Sequence, residues 1–196
     1  MSDPHFLVII GSVRTRRIGS DIARWVAEIG RATVQATFEL IDLRDWPLPM
    51  DAEPGIPALG DYEQPQTFAW SRKVAAANGI VFVTPQYNWG YPAPLKNAID
   101  HLYAEWRDKP AAIVSYGGHG GGKCAAQLRE VLSSMTMRVT DAMPALILPT
   151  GQVQANDGRI DATFAFAGDG QFVEAALRQL HALAADDARR TVMPTV

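Results

Sequence analysis

The chain has 196 residues, of which 47% are apolar and 20% charged, and its formal net charge is −3. This composition predicts one globular domain over residues 1–196, and the slightly acidic balance excludes the strongly basic surface of a general nucleic-acid binder. The one cysteine, Cys124, excludes an intramolecular disulfide. Residues 1–5 lack a secretory pattern and no apolar run has the length of a membrane helix, so we expect a cytoplasmic protein without a membrane partner.

Predicted strands and helices alternate along the chain. Five consecutive apolar residues at positions 6–10 indicate a strand that is buried on both faces, and an amphipathic helix begins near Ile18. The second strand is predicted at residues 34–43, before a proline-rich loop at 46–66. The remaining strands are predicted at 79–84, 111–116 and 145–148, and the remaining helices at 67–77, 93–106, 123–135 and 171–186, with a polar connection at 151–170.

Five strands that alternate with five helices predict an α/β fold, a doubly wound parallel sheet with helices on both faces. In such sheets, ligands bind outside the carboxyl ends of the strands, where the strand order reverses. The loops after the first, third and fourth predicted strands have unusual compositions, and all three fall at that edge. These loops are therefore the candidate binding elements.

The loop after the first strand, residues 11–20, has the features of an anion site. It leads into a helix, whose unpaired amides and positive dipole end attract negative charge. Hydroxyl and guanidinium donors add to them: Ser12, Thr15, Ser20, Arg14, Arg16 and Arg17. The G-x-G-x-x-G pattern of dinucleotide sites is absent, and Asp42 is a weak candidate for a ribose ligand. We predict a site for a terminal phosphate monoester; the alternative is a solvated loop that happens to be basic.

The loop after the third predicted strand, residues 84–97, concentrates aromatic side chains. Tyr87, Trp89 and Tyr91 lie beside the turn residues Asn88 and Gly90. Aromatic rings and exposed backbone amides are suited to stack on a flat heterocycle and to bind its polar edge. The alternative is aromatic packing at an interface between subunits, where tyrosine and tryptophan are also enriched.

The loop after the fourth predicted strand, residues 115–124, is rich in glycine. Gly117, Gly122 and Lys123 have the spacing of a nucleotide-binding P-loop, but Cys124 stands where a Ser or Thr is needed to bind magnesium. We favour a glycine run that lets the backbone approach a planar ligand. The four histidines show no metal-ligand spacing and no nucleophile motif appears, so neither a catalytic side chain nor a metal site is predicted.

Together, these motifs resemble the NADPH-dependent FMN reductase family, the flavodoxin-like group that includes chromate and quinone reductases. The resemblance covers residues 6–148 and is carried by Gly11, Ser12, Arg14 and Arg17, by Pro85, Tyr87, Asn88, Pro92, Leu95, Lys96, Asn97 and Asp100, and by the glycine loop from Ser115. The chain departs from the family pattern at residues 17–19, where Ser or Asn is frequent. It departs again at residues 89–90, where a small polar residue is common, so substrate preference does not carry over.

The resemblance implies a five-stranded flavodoxin-like sheet of order 2-1-3-4-5 that binds FMN. The phosphate is expected on Ser12, Arg14, Arg17, Ile18 and Gly19, and the isoalloxazine ring against Pro85, Gln86, Tyr87, Asn88, Trp89, Ser115, Gly117 and Gly118. It also implies hydride transfer from NADPH or NADH to a small-molecule acceptor, which is a quinone, a flavin, an azo compound or a metal oxyanion. Assembly as a homodimer or tetramer is implied as well.

Two other functions remain open at this point. A flavodoxin-type electron carrier would bind FMN and a protein partner, usually through a strongly acidic face, whereas this chain has 18 basic residues and a net charge of −3. A P-loop nucleotide-binding module would bind ATP or GTP with magnesium and carry no flavin.

Overall fold

The computed structural model describes residues 3–155 and 157–192, so Met1 and Ser2, the first residues of the N-terminal segment without a secretory pattern, lie outside the described residues. The strands are β1 (His5–Ile10), β2 (Thr37–Asp42), β3 (Gly79–Pro85), β4 (Pro110–Gly117), β5 (Arg138–Val139) and β6 (Ala145–Ile147). The helices are α1 (Gly19–Thr33), α2 (Pro65–Ala75), α3 (Ala93–Asp100), α4 (Gly122–Ser134), α5 (Thr150–Ala155), α6 (Ala162–Ala165) and α7 (Gly170–Val192). Short 3-10 turns lie at Leu43–Asp45, Pro57–Leu59 and Ala104–Trp106.

The strands form one parallel sheet of order β2-β1-β3-β4-β5, and β6 also pairs with β4. β5 pairs with Pro110 and Ala111 at the start of β4, whereas β6 pairs with residues 115–117 at its end. β5 and β6 therefore share the fifth position of the sheet. The predicted doubly wound, flavodoxin-like order is confirmed, with six strands instead of five, because a break divides this edge. β5 has only two residues, which is too few to produce a periodic pattern.

The sequence of β1 is apolar without alternation because both faces of this strand are covered by helices. Its even-numbered residues 6, 8 and 10 pack on the face covered by α1 and α7. Leu7 and Ile9 pack on the opposite face against α2, α3 and α4. All five of these side chains are at most 3% exposed. Burial on both faces fixes the depth of the strand in the sheet, and thus the place where the loop that follows it begins.

The helices differ from the prediction in three places. The helix predicted at residues 93–106 ends at Asp100, and Trp106 lies in a 3-10 turn, where its indole Nε1 donates to the carbonyl of Ile99 at 3.0 Å. The connection at 151–170 contains α5 and α6, and the last helix extends to Val192 instead of residue 186. In residues 3–155 and 157–192, no helix is long and apolar enough to cross a membrane.

The proline-rich segment at residues 46–66 is irregular, as predicted, apart from the turn Pro57–Leu59 and the first residues of α2. It is tied to its own chain by hydrogen bonds. Asn97 Nδ2 donates to the carbonyl of Leu48 at 2.9 Å. The Glu53 carboxylate accepts from the amides of Glu63 and Gln64 at 2.8 and 3.1 Å. The segment is therefore an ordered loop at the edge where α3 begins.

Candidate functional site

The loops after β1, β3 and β4 meet because these strands are neighbours in the sheet. Ile10 lies beside Val83, and Pro85 lies beside Tyr116, so the three carboxyl ends stand side by side. A cavity of about 340 Å³ opens at this edge. Eight of its lining residues are predicted site residues: Arg14, Arg17, Ile18, Pro85, Gln86, Tyr87, Gly117 and Gly118. The parallel topology thus brings residues that are distant in sequence around one space.

Larger cavities lie elsewhere, and their chemistry differs. One of about 640 Å³ is bordered by Asp21, Arg24, Asp157 and Arg159. One of about 480 Å³ is lined mostly by apolar residues, four of them from residues 46–50 and the others from residues 13, 43–44 and 93–97. Neither includes a residue of the glycine loop after β4. We therefore assign the site by the convergence of the three loops and not by volume.

Ser12 and Arg14 organise the aromatic wall of the cavity. The Ser12 side chain is fully buried, and its Oγ lies 2.7 Å from the Tyr87 hydroxyl. The Arg14 guanidinium lies over the Tyr87 ring, 3.6 Å from its centre, in a cation–π contact. The amide of Arg14 donates to Ser12 Oγ at 3.4 Å. Ser12 thus fixes the phenol of Tyr87, while Arg14 covers the face of its ring.

Arg17 is the most deeply held of the three arginines in the first loop. Its Nη2 forms an ion pair with the Asp42 carboxylate, and its Nη1 donates to the carbonyl of Arg14 at 3.3 Å. The side chain is only 9% exposed. Its Nε is buried and has no hydrogen-bond partner among the described residues. A buried guanidinium donor without an acceptor is unusual, because such groups are normally paired.

The start of α1 packs directly against β4. Gly19, the first residue of α1, is buried, and a Cβ atom at this position would lie 2.6 Å from the Tyr116 hydroxyl. Tyr116 lines the cavity and is 3% exposed. Burial, together with the nearby Tyr87, raises the pKa of Tyr116 above its ordinary value, so the phenol stays protonated. No side chain of the described residues caps α1, so its first amides are left at the cavity edge.

The second loop is held by its own turn and by α4. Tyr87 and Gly90 exchange two backbone hydrogen bonds of 2.8 and 2.9 Å, and the two residues between them have positive φ angles, 49° at Asn88 and 71° at Trp89. These are the features of a type I′ turn, which favours Asn-Gly. The Gln86 amide donates to the carbonyl of Tyr116 at 2.9 Å, and its Oε1 accepts from the amide of Cys124 at 3.2 Å. Gln86 therefore joins the loops after β3 and β4.

Trp89 and Lys123 form the outer rim of this loop. The Trp89 side chain is 51% exposed, and the Lys123 ammonium lies 3.6 Å from the centre of its ring. The lysine of the P-loop-like spacing is therefore placed over an indole in this structure. The Trp89 and His119 rings lie 6.2 Å apart.

The third loop turns at two glycines with positive φ angles, 80° at Gly120 and 89° at Gly121. Ser115 is fully buried, and its one hydroxyl hydrogen is shared between the carbonyls of Gly120 and Pro144, which lie 3.3 and 3.4 Å from Oγ. Ser115 thus shapes the loop from below and does not line the cavity. Burial raises the pKa of the Cys124 thiol to about 12, so a thiolate nucleophile is not available there.

Five predicted site residues lie outside the cavity lining: Ser12, Gly19, Asn88, Trp89 and Ser115. Five lining residues were not among the residues expected to bind FMN, although Arg16 was named among the donors of the first loop: Arg16, Tyr116, Leu148, Gln152 and Gly158. Arg16 and Tyr116 are sequence neighbours of predicted residues, so their loops already indicated them. The other three come from β6 onward, and no local motif marks them. Among residues 3–155 and 157–192, no group of three His, Cys, Asp or Glu side chains is arranged to hold a metal ion.

The strand order and the cavity at the carboxyl edge define a flavodoxin-like α/β protein. Residues 4–149 match the sequence model of the NADPH-dependent FMN reductases. The chain belongs to the NADPH-dependent FMN reductase family.

Individual relatives agree with this assignment. The chain is 56% identical over 152 residues to an NAD(P)H-dependent FMN reductase of Schizosaccharomyces pombe, a match that covers 76% of each chain. It is 29% identical over 186 residues to a quinone reductase of Escherichia coli, covering 86% of this chain and 94% of that protein. Among solved structures, it is similar in fold to FerB, a flavoenzyme NAD(P)H:(acceptor) oxidoreductase from Paracoccus denitrificans. There the TM-score is 0.69 and the identity 21%, over 91% of this chain and 98% of that chain.

Proposed function

We propose that this chain is an FMN-dependent NAD(P)H oxidoreductase that delivers electrons to a small-molecule acceptor, such as a quinone, a flavin, an azo compound or a metal oxyanion. The observation that carries the proposal is the cavity at the carboxyl edge, where a basic loop, an aromatic loop and a glycine loop converge. The S. pombe FMN reductase and the E. coli quinone reductase support the same activity.

The residues at the first loop fit the phosphate of FMN. Arg14, Arg16 and Arg17 line the cavity beside the uncapped start of α1. The oxygens of a phosphate dianion accept hydrogen bonds, and guanidinium groups and helix amides are its natural donors. Arg17 borders the cavity, and its guanidinium is held in place by Asp42 and by the carbonyl of Arg14. Because the Ser12 hydroxyl is already bonded to Tyr87, we propose that Ser12 acts mainly by holding that ring.

The second and third loops fit a flat ring system. Gly118 has open space where a side chain would stand, and a Cβ at Gly117 would lie 3.5 Å from the Cβ of Gln86. Because glycine has no side chain, the backbone amides of this loop are accessible to the edge of a ring. Pro85 and Tyr87 line the same cavity. We propose that these residues hold the isoalloxazine, with Asn88, Trp89 and Ser115 shaping the surrounding loops.

When bound, FMN supplies the redox chemistry, since it exchanges hydride with a nicotinamide and electrons with an acceptor. The protein then needs to bind and orient the flavin and its substrates and to shield them from water. No side chain has to act as a general acid or base. The protonated phenol of Tyr116 and the protonated thiol of Cys124 agree with this division of labour, because neither is ionised at neutral pH. The family assignment favours a reductase over a flavodoxin-type carrier.

We further propose that residues 1–196 form one FMN-binding domain, that the protein is cytoplasmic and that it self-associates as a homodimer or tetramer. A cytoplasmic location is supported by the single buried Cys124. Self-association is supported by exposed apolar side chains of the proline-rich segment: Met50 is 69% exposed, Ile56 67% and Leu59 70%. Light scattering after size-exclusion chromatography would give the mass of the assembly; a monomer at all concentrations would contradict this part.

The decisive experiment is an absorbance spectrum of the purified protein after addition of FMN and desalting, followed by anaerobic NADPH. Retained flavin absorbance that bleaches with NADPH is the expected result. Retained flavin that NADPH does not bleach would favour the carrier, and a colourless protein would refute the flavin site. The double variant Arg14→Ala/Arg17→Ala serves as the matched comparison, because it is expected to lose FMN on desalting while keeping the fold.

A further inference from the structure

Asp42 occupies a fixed position beside the phosphate end of the cavity. It is the last residue of β2 and lies opposite Ile10, the last residue of β1. One carboxylate oxygen, Oδ1, accepts a hydrogen bond from the amide of Arg44 at 3.0 Å. The other, Oδ2, forms the ion pair with Arg17. The carboxylate is therefore anchored to the backbone on one side and holds a guanidinium on the other.

This arrangement fixes the Arg17 side chain but leaves one of its hydrogen-bond donors without an acceptor among the described residues. Asp42 and the carbonyl of Arg14 hold its two terminal nitrogens, and the side chain is 9% exposed. Its Nε remains buried and unpartnered among the described residues, although Arg17 borders the cavity. A guanidinium has donors and no acceptor, so a ligand that Arg17 contacts from the cavity must be an acceptor, and an anion is the strongest one.

The charges around the first loop point to the same class of ligand. Asp42 compensates Arg17, whereas Arg14 and Arg16 form no ion pair within residues 3–155 and 157–192. Two uncompensated positive charges therefore remain at the cavity. A phosphate monoester carries a charge of about −1.5 to −2 near pH 7, which matches them. The carboxylate itself is occupied, so Asp42 does not serve as the ribose acceptor that an acidic residue after the second strand provides in dinucleotide sites.

We propose that Asp42 is a positioning residue for the flavin phosphate: it holds Arg17 against the cavity and thereby makes the site distinguish FMN from riboflavin. This inference rests on the proposed flavin function. Asp42 acts through Arg17 and does not touch the ligand. The proposed role of Asp42 increases the affinity for FMN. The repulsion between its carboxylate and the phosphate would by itself decrease that affinity.

The opposite signs make the substitution Asp42→Asn informative. Asparagine has the same shape and still accepts from the Arg44 amide, so the turn after β2 is retained. If Asp42 only repelled the phosphate, removal of its charge would tighten FMN binding. If it positions Arg17, the same change weakens FMN binding by about tenfold, the loss expected when one charge-assisted hydrogen bond is misplaced. Riboflavin, which lacks the phosphate, is expected to bind Asp42→Asn within twofold of the wild type.

The control is Asp45→Asn, which removes the same charge three residues away. Asp45 lies in the same turn, is exposed and forms no ion pair among the described residues. We expect it to leave the affinities for FMN and riboflavin within twofold of the wild type. Arg17→Met and the double variant Asp42→Asn/Arg17→Met complete a double-mutant cycle. Once Arg17 is absent, Asp42→Asn is expected to cause no further loss of FMN affinity.

The measurement is a fluorescence titration of the flavin-free full chain with FMN and, separately, with riboflavin. Thermal melts of every variant confirm that it is folded. A tightening of FMN binding in Asp42→Asn, or an equal loss for FMN and riboflavin, would overturn the positioning role. Equal wild-type affinities for the two flavins would also overturn it, while the flavin site itself would stand. Failure of the wild type to bind either flavin would instead refute the proposed function.

Discussion

The contact between Gly19 and Tyr116 allows a quantitative test of how α1 is seated on β4. In Gly19→Ala, the new Cβ would lie 2.6 Å from the Tyr116 hydroxyl oxygen and 3.4 Å from Ile10 Cγ2. Tyr116 is 3% exposed and borders the cavity, so the clash is relieved only by a shift of its ring or of α1. Overpacking of a well-filled interior costs about 1–3 kcal/mol. The gain from replacing glycine in a helix offsets roughly 0.5–1 kcal/mol of this.

The expected net loss in the free energy of unfolding is therefore about 1–2 kcal/mol. For a chain of this size it corresponds to a fall in Tm of roughly 2–8 °C, measured by differential scanning calorimetry. Gly122→Ala is the matched control, because Gly122 is also the first residue of a helix, but no atom of the described residues lies within 4 Å of its Cβ position. We expect Gly122→Ala to be neutral or slightly stabilising.

The clash can also be relieved from the other side. Tyr116→Phe removes the hydroxyl oxygen and leaves the ring carbon Cζ at 3.6 Å, which is an ordinary van der Waals distance. The double variant Gly19→Ala/Tyr116→Phe is therefore expected to recover most of the lost stability. If it melts as low as Gly19→Ala alone, or if Gly19→Ala melts like Gly122→Ala, the steric explanation is wrong.

Three further changes have defined outcomes. Gln86→Ala removes the acceptor for the Cys124 amide and should lower the free energy of unfolding by about 1 kcal/mol in urea titrations, and should weaken FMN binding. Glu39→Gln should cost less than about 1 kcal/mol at pH 7. The hydrogen bond from Lys73 lowers the pKa of Glu39 below its ordinary 4.5, so this difference from the wild type should persist above pH 4.5 and vanish as the pH falls through the lowered pKa. Trp89→Gly should relieve the positive φ of 71° and stabilise by up to about 1 kcal/mol; a lower urea midpoint would contradict the strain argument.

The central sheet could be predicted because its strands carry a strong local signal. β1, β3 and β4 are buried on both faces, so each is an apolar run that needs no tertiary information to be recognised. The edge could not be predicted in the same way. β5 is half-buried and two residues long, and the end of α3 depends on where the Trp106 indole finds its acceptor, the Ile99 carbonyl. Both features are decided by tertiary contacts.

In the candidate site, the position of the loops could likewise be predicted from local sequence, but the contacts between distant residues could not. Its loops after β1, β3 and β4 could be located from sequence, because the carboxyl ends of neighbouring parallel strands meet at one edge. The partners within the site could not. The ion pair between Arg17 and Asp42 joins residues that are 25 positions apart, and the Ser12–Tyr87 hydrogen bond spans 75 positions. Neither residue type requires the other, so only the register of the sheet reveals the pairing.

A fourth side of the cavity is formed by Leu148, Gln152 and Gly158, which do not belong to the three loops after β1, β3 and β4. Leu148 belongs to the sheet edge, since its amide donates to the carbonyl of Gly117 at 2.9 Å, but Gln152 and Gly158 lie beyond residue 149, where the family match ends. Gly158 has a φ of 82°, and a Cβ there would lie 2.9 Å from the Cα of Arg16. The connection between α5 and α6 therefore rests on the arginine loop at a position that only glycine fits. The amide of Ile160 also donates to Asp21 Oδ2 of α1 at 2.9 Å, so this connection is held against the first loop and its helix by contacts that lie outside the sheet.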